Sequence, residues 1–227
     1  MKLPPLSQRL TACAQFVRTG DRVADIGCDH GYLGISLLLQ NIASSVIAAD
    51  INRLPLKNAA GNADAFGVSD RMSFFLSDGV EAIPRDFTVL ICAGMGADTI
   101  MGILDRAPWL KSPQYRLILQ CQSRRPALRE YLFSNGYTIR NETLAQDGKF
   151  IYTIMEVVPG VAPPLSGADF FISPALRVCG SPLLPDFYKR VVSGVRKTVS
   201  GLSRSGGEKY AYYRAVLDEL LTMEETI

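Results

Sequence analysis

Val23-Ala24-Asp25-Ile26-Gly27-Cys28-Asp29-His30-Gly31-Tyr32-Leu33 is the stretch whose reading decides the fold. An apolar, partly β-branched run breaks into Asp-x-Gly-x-x-x-Gly, and Tyr32 to Gln40 then reads as a helix. That is a strand, a tight glycine turn and a helix N-terminus. Glycine has no Cβ and takes positive φ, so a ligand can lie against bare backbone there. The helix start supplies unpaired N–H groups. Asp25, at the strand end, adds a fixed negative charge facing the same crevice.

Outward from this turn the chain alternates. Ser45 to Asp50, Met72 to Leu76, Phe87 to Cys92 and Tyr115 to Leu119 read as strands. Between them Pro55 to Phe66, Thr99 to Asp105 and, after the last, Pro126 to Ser134 read as helices, and Leu6 to Val17 carries helical apolar spacing before the first strand. Tyr137 to Leu144 and Phe150 to Val157, joined through Asp147-Gly148, read as a hairpin. The expectation is an α/β fold: a doubly wound parallel sheet with antiparallel strands at one end. Ligands in such sheets bind beyond the carboxyl ends of the strands. Asp25, Gly27, Asp50, Asp78, Gly79 and Gly94 fall at those ends.

Residues 159–185 are rich in proline, glycine and serine and read as a linker with irregular surface. Leu184, Tyr188, Val191, Val195, Val199 and Leu202 then follow helical spacing, as do Tyr210, Tyr213, Leu217 and Leu220 after the turn at 203–207. This reads as an antiparallel helical hairpin, a short coiled coil. The division expected is a catalytic domain over 1–158 and a linker plus hairpin over 159–227. Between 186 and 214, Lys189, Arg190, Arg196, Lys197, Arg204, Lys209 and Arg214 face only Asp186 and Glu208. Such a run is either a solvated face or a phosphate-binding one; the imbalance, with Tyr210, Tyr212 and Tyr213 nearby, favours RNA.

At 227 residues, 48% hydrophobic and 20% charged, with net charge +2, the chain is ordinary for a globular protein and its overall charge selects no partner. Five scattered cysteines without a C-x-x-C pair, and one histidine, argue against a metal site and for thiols in a reducing cytosol. Met1 to Pro5 lacks a signal-peptide core and no run approaches 18 apolar residues, so a cytoplasmic protein away from membranes is expected. A monomer is the simplest expectation.

The glycine pattern also selects a cofactor. Gly27-x-x-x-Gly31 is not the G-x-G-x-x-G of dinucleotide sites, and Asp25 and Asp29 would repel a pyrophosphate. A cationic, phosphate-free cofactor suits the turn, and S-adenosyl-L-methionine carries a sulfonium and an ammonium. Asp50, followed by Ile51, would accept from the ribose hydroxyls. Asp78 would take the adenine amine, with Gly79 allowing close approach. Ala93-Gly94-Met95 would offer backbone, and Cys28, His30 and Gly31 complete the turn.

The first motif, the Ala93-Gly94-Met95-Gly96 loop, Leu117-Ile118-Leu119-Gln120, Leu128-Arg129-x-x-Leu132-x-x-Asn135-Gly136-Tyr137 and the hairpin together resemble the TrmK family over essentially the whole chain. The resemblance implies a bacterial S-adenosylmethionine-dependent methyltransferase of the class I fold, acting on N1 of the adenosine at position 22 of tRNA. Two departures are visible. The family's Gln-Pro-Asn is here Gln120-Cys121-Gln122, where a target base would enter, and its Gly-Met-Gly-Gly is Gly94-Met95-Gly96-Ala97. The Asn/Asp-Pro-Pro-Tyr of enzymes that methylate exocyclic amines is absent, which favours ring-nitrogen chemistry.

N1 of adenine is itself a nucleophile, so alignment supplies most of the rate. A carboxylate near the base would stabilise the charge that develops, and Asp29 is the catalytic candidate; the alternative is that it caps the following helix. His30 and Tyr32 either line the base pocket or pack the turn. Tyr32, Gln120, Gln122, Arg124, Arg125, Arg129, Lys189, Arg196 and Lys197 are the candidate RNA contacts. The rival functions are methylation of another RNA base or of a small molecule, and non-catalytic RNA binding on the same fold.

Overall fold

The computed structural model describes residues 3–204 and 206–223. Met1, Lys2, Ser205 of the hairpin turn and the last four residues lie outside them. Seven strands form one sheet in the order β3-β2-β1-β4-β5-β7-β6. These are β1 (Asp21–Ile26), β2 (Ala43–Asp50), β3 (Met72–Leu76), β4 (Val89–Met95), β5 (Arg116–Cys121), β6 (Tyr137–Asp147) and β7 (Phe150–Pro159). The first five are parallel; β7 runs antiparallel to β5, and β6 to β7.

The central strands are apolar on both faces because helices cover both. Val23, Val46, Ala48, Val89, Ile91 and Ile118 pack with α1 (Gln8–Ala14), α2 (Tyr32–Leu39) and α3 (Arg53–Ala65). Their alternates Ala24, Ile26, Ala49, Leu90, Leu117 and Leu119 pack with α4 (Ala97–Arg106) and α5 (Arg125–Ser134). The two-residue period of a strand produces this division. At the amino-terminal ends of β1 and β5, the end of the sheet opposite the glycine turn, the Arg116 guanidinium ties Asp21 of β1 to Glu156 of β7.

A third core carries the C-terminal part. α7 (Leu184–Leu202) buries Leu184, Phe187, Tyr188, Val192, Val195 and Val199 against Val216, Leu217 and Leu220 of α8 (Gly207–Met223) and against Leu144 and Ile151 of the β6–β7 hairpin. Tyr188, early in α7, donates its hydroxyl proton to the Leu220 carbonyl late in α8, so the two helices are antiparallel. The segment before them is more ordered than its composition suggests. A 3-10 turn at Ala168–Phe170 and the short α6 (Pro174–Arg177) bring Ala168, Ile172 and Leu176 into the third core. The Ser173 hydroxyl caps α6 by accepting from Leu176 N at 3.0 Å. Four-residue spacing of three apolar side chains supplies the burial that pays the ordering entropy of this stretch. The linker reading is corrected to that extent.

Among the described residues no helix is long and apolar enough to cross a membrane, and no cluster of His, Cys, Asp or Glu could hold a metal ion.

Candidate active site

A cavity of about 250 Å3 opens where β1 and β4 end side by side. Asp25, Gly27, Cys28, Asp29, His30 and Tyr32 form one wall. Ala93, Gly94 and Gln122 form the other, and Arg9 and Leu10 of α1 close it. The turn has the backbone its glycines suggest, with Gly27 at φ 71° and Gly31 at φ 70°.

Asp25 is 4% exposed and has no ion-pair partner among the described residues. Burial, and then the charge of Asp50, push its carboxyl up to about 7. Asp50 accepts from Asn52 N at 2.8 Å and from Asp29 N at 3.4 Å, which ties the end of β2 to the glycine turn. Ile51 beside it is 64% exposed, an apolar surface at the rim. Cys28 lines the cavity, and burial first, then Asp25 and Asp50, push its thiol up, so it is a neutral wall residue. Met95 lies against the turn, its Cε 2.7 Å from where a Cβ on Gly27 would stand.

Asp29 has φ 51°, a left-handed conformation that costs a non-glycine residue about 1 kcal/mol, least for Asp and Asn. It does not cap α2. The N-cap is Gly31, without a side-chain cap bond, and the Asp29 carboxylate is exposed with His30 Nε2 3.6 Å away. The His30 ring stacks on Tyr32 with centroids 5.7 Å apart. These three side chains therefore form one open, polar and aromatic rim.

Arg9 is the residue that sequence reasoning missed. Its Nη1 donates to Gln120 Oε1 at 2.7 Å, and Gly94 N donates to the same oxygen at 2.9 Å. Gly94 is at φ 84°, and a Cβ there would stand 3.0 Å from Arg9 Nη1, so the loop needs glycine for close approach as well as conformation. Gln120 is itself fully buried, and its expected contact with substrate is corrected: it is the acceptor that holds Arg9 and the β4 loop. Gln122 is exposed and lines the cavity.

Other expected residues are placed differently. The Asp78 carboxylate lies outside the cavity wall, held by Arg106 Nη2 at 3.0 Å. Gly79 has φ 60°, and a Cβ there would meet Ile103 Cγ1 at 2.8 Å, so its first requirement is packing against α4. Gly79→Ala is expected to destabilise the protein by about 1–3 kcal/mol in a thermal melt while leaving cofactor affinity within about threefold. Arg129, expected to touch phosphate, is corrected. It is 2% exposed, with Nη2 on Glu142 and Nη1 donating to the Phe170 and Phe171 carbonyls. Arg124 is exposed but paired with Asp98. The Arg125 guanidinium lies 5.0 Å from the Phe187 ring centroid and donates to the Ile151 carbonyl, so it joins α5 to α7. Lys189, Arg196 and Lys197 are exposed on α7 with no ion-pair partner among the described residues.

Comparison with known proteins agrees with this geometry. The family profile described as a methyltransferase domain matches residues 6–155. The tRNA (adenine(22)-N(1))-methyltransferase of Bacillus subtilis is 34% identical over 146 residues, 63% of this chain. That alignment spans 61% of the Bacillus protein's own length. A Streptococcus pneumoniae protein solved in complex with S-adenosyl-L-methionine superposes with a TM-score of 0.81 at 28% identity, covering 94% of this chain and 100% of that one. The B. subtilis tRNA methyltransferase TrmK shares the fold, with a TM-score of 0.79 at 24% identity over 98% and 97% of the two chains. The chain belongs to the methyltransferase-domain family.

Proposed function

We propose that this protein transfers a methyl group from S-adenosyl-L-methionine to N1 of the adenosine at position 22 of tRNA, in the cytoplasm. The observation that carries the reading is the unpaired Asp25 carboxylate, buried beside an open rim of Asp29, His30 and Tyr32. The relative from B. subtilis bears that activity in its name, and the S. pneumoniae neighbour holds the cofactor.

The residues present fit this cofactor. A buried anion without a partner is costly, and a ligand ammonium removes that cost. Asp25 is placed to receive it. Arg9, across the cavity, is the cation for the ligand's carboxylate. Asp50 keeps lone pairs free for ribose hydroxyls, and Ile51 offers an apolar face to a flat ring. Asp78 Oδ1 is taken by Arg106, which leaves Oδ2 for the adenine amine. When bound, the cofactor supplies an electrophilic methyl on a sulfonium.

The protein's own part is alignment and charge. Tyr32 and His30 give the target base an aromatic rim, and Gln122 offers it an amide. The base becomes cationic as N1 is methylated, and the Asp29 carboxylate opposes that charge. The proton balance is simple, because the attacking ring nitrogen carries none.

Binding of the RNA body falls to α7. The triple reversal Lys189→Glu, Arg196→Glu, Lys197→Glu is expected to raise KM for tRNA at least about tenfold and to flatten its salt dependence by about three units of slope. Cofactor affinity should not change; an unaltered KM would place the RNA elsewhere. The reading as a whole is tested by incubating the protein with bulk unmodified tRNA and labelled S-adenosyl-L-methionine, then mapping the labelled nucleoside. Label on 1-methyladenosine at position 22 is expected. Label on another base, or none with tRNA present, would overturn it.

A further inference from the structure

β7 begins beyond the level of the methyl-transfer cavity. Gln120, which holds Arg9 and the Gly94 loop, pairs with Ile154 of β7, and that strand starts four residues earlier, at Phe150. At about 3.3 Å per residue, the tip of the β6–β7 hairpin stands about 13 Å past Gln120, on the side of the carboxyl ends of the parallel strands. Alternate residues of β7 face opposite ways. Ile151 enters the core with α7 and Met155 the core with α4 and α5, whereas Ile154 packs with α1. Phe150 and Tyr152 therefore share the face of Ile154, the one on which Arg9 of α1 closes the cavity.

Phe150 is 55% exposed, the one exposed ring among ten phenylalanines. It lies against Tyr152 with centroids 6.2 Å apart, and the Lys149 ammonium is 5.3 Å from its centroid. The Asp-Gly turn sets the hairpin without needing a ring at 150. Two arginines hold the tip from behind. Arg190 of α7 donates to the Lys149 carbonyl at 2.8 Å, and Arg125 of α5 to the Ile151 carbonyl at 3.3 Å. Neither guanidinium has a carboxylate partner among the described residues. Lys149, Arg125 and Arg190 thus bring three positive charges to the tip, against the carboxylate of Asp147, which pairs with Phe150 across the turn. Single-stranded nucleic acid binds such a surface: a ring takes a base of any kind, and cations take the phosphates. We propose that Phe150 and Tyr152 form a stacking platform for an unpaired base of the RNA flanking the target adenosine. Lys149 is exposed on a flexible stem, so its ammonium can leave the ring for the phosphate when the base arrives. The inference rests on tRNA being the substrate. The platform touches neither cofactor nor reacting atoms; it positions the RNA strand at the cavity mouth.

Phe150→Ala in the full chain is expected to raise KM for bulk unmodified tRNA at least about fivefold, with kcat and S-adenosyl-L-methionine affinity within about twofold of native. Phe150→Leu keeps an apolar side chain without a ring and should match the alanine variant, whereas Phe150→Trp should restore a native KM. The tryptophan variant also reports contact directly. Trp109, the one tryptophan of the native chain, precedes β5 at the other end of the sheet, so native protein serves as the blank. Added tRNA should quench the emission of the Phe150→Trp variant beyond any change in the blank. A native KM in the alanine variant, or an emission that tRNA does not move, would overturn the platform while leaving methylation by the native protein intact. A native KM in the leucine variant alone would make position 150 a packing residue. A native KM with an altered oligomeric state of Phe150→Ala in ultracentrifugation would give the ring to a protein contact instead. Native protein that neither binds nor methylates tRNA would remove the reading on which the platform rests, and the platform with it.

Discussion

Asp25→Asn is expected to make the ligand-free protein more stable and nearly unable to bind its cofactor. The two effects have one cause. Asp25 has a folded-state pKa of about 7 against an ordinary 3.8, raised by burial first and by Asp50 second. The folded protein therefore holds this proton more tightly than the unfolded chain, and stability from this group is fully present below 3.8 and lost as pH rises through about 7. At pH 8 the native protein carries a buried, unpaired charge, and the asparagine variant does not. The variant should gain about 1–3 kcal/mol in chemical denaturation at pH 8, the amide's own need for partners trimming the gain, and nothing at pH 4. Cofactor affinity should fall about 10²–10³-fold, the usual loss when one partner of a buried charge pair is removed. The native protein should also bind its cofactor about tenfold more weakly per pH unit from 7 down to 5.5, because binding must first remove the Asp25 proton. Calorimetric titration across that range checks the slope; a flat profile would remove Asp25 from the ammonium site.

The parts of this site that can be seen in the sequence are those set by local rules. Asp25, Asp50 and Gly94 stand at strand ends because apolar runs stop there, and the positive φ of Gly27 and Gly31 follows from residue type. What depends on distant partners is not visible. Arg9 looks like a surface residue of α1, and only the fold brings it to Gln120, 111 positions away. Gln120 in turn reads as a mouth residue because it follows an apolar strand, yet it lies within β5, fully buried, with Arg9 and the Gly94 amide on its side-chain oxygen. Arg129 reads as a phosphate contact because arginine is usually exposed. Its position directly after Leu128 and three residues before Leu132, both fully buried, was the local sign that it faces inward. Its partner Glu142 lies on a strand with no special pattern. Composition concealed the order in the 159–185 stretch, where proline and glycine outweighed the spacing of Ala168, Ile172 and Leu176.

Asp29→Asn separates the two meanings of the glycine turn. Asparagine tolerates the left-handed conformation at φ 51° about as well as aspartate, so this variant removes charge without disturbing the backbone. Alanine removes the charge too, but adds backbone strain of about 1 kcal/mol. If the carboxylate opposes the positive charge that forms on adenine, kcat should fall about 10²-fold in the asparagine variant and somewhat more in the alanine variant, in the range seen when one stabilising group is lost. Cofactor affinity and melting temperature of the asparagine variant should stay near those of the native protein, because the Asp29 contact with Asp50 is made by its backbone N–H. The pattern distinguishes charge from geometry. A fully active asparagine variant beside a slow alanine variant would make position 29 a turn residue whose conformation alone matters. A slow asparagine variant with intact cofactor binding places the carboxylate against the reacting base, on the rim it shares with His30 and Tyr32.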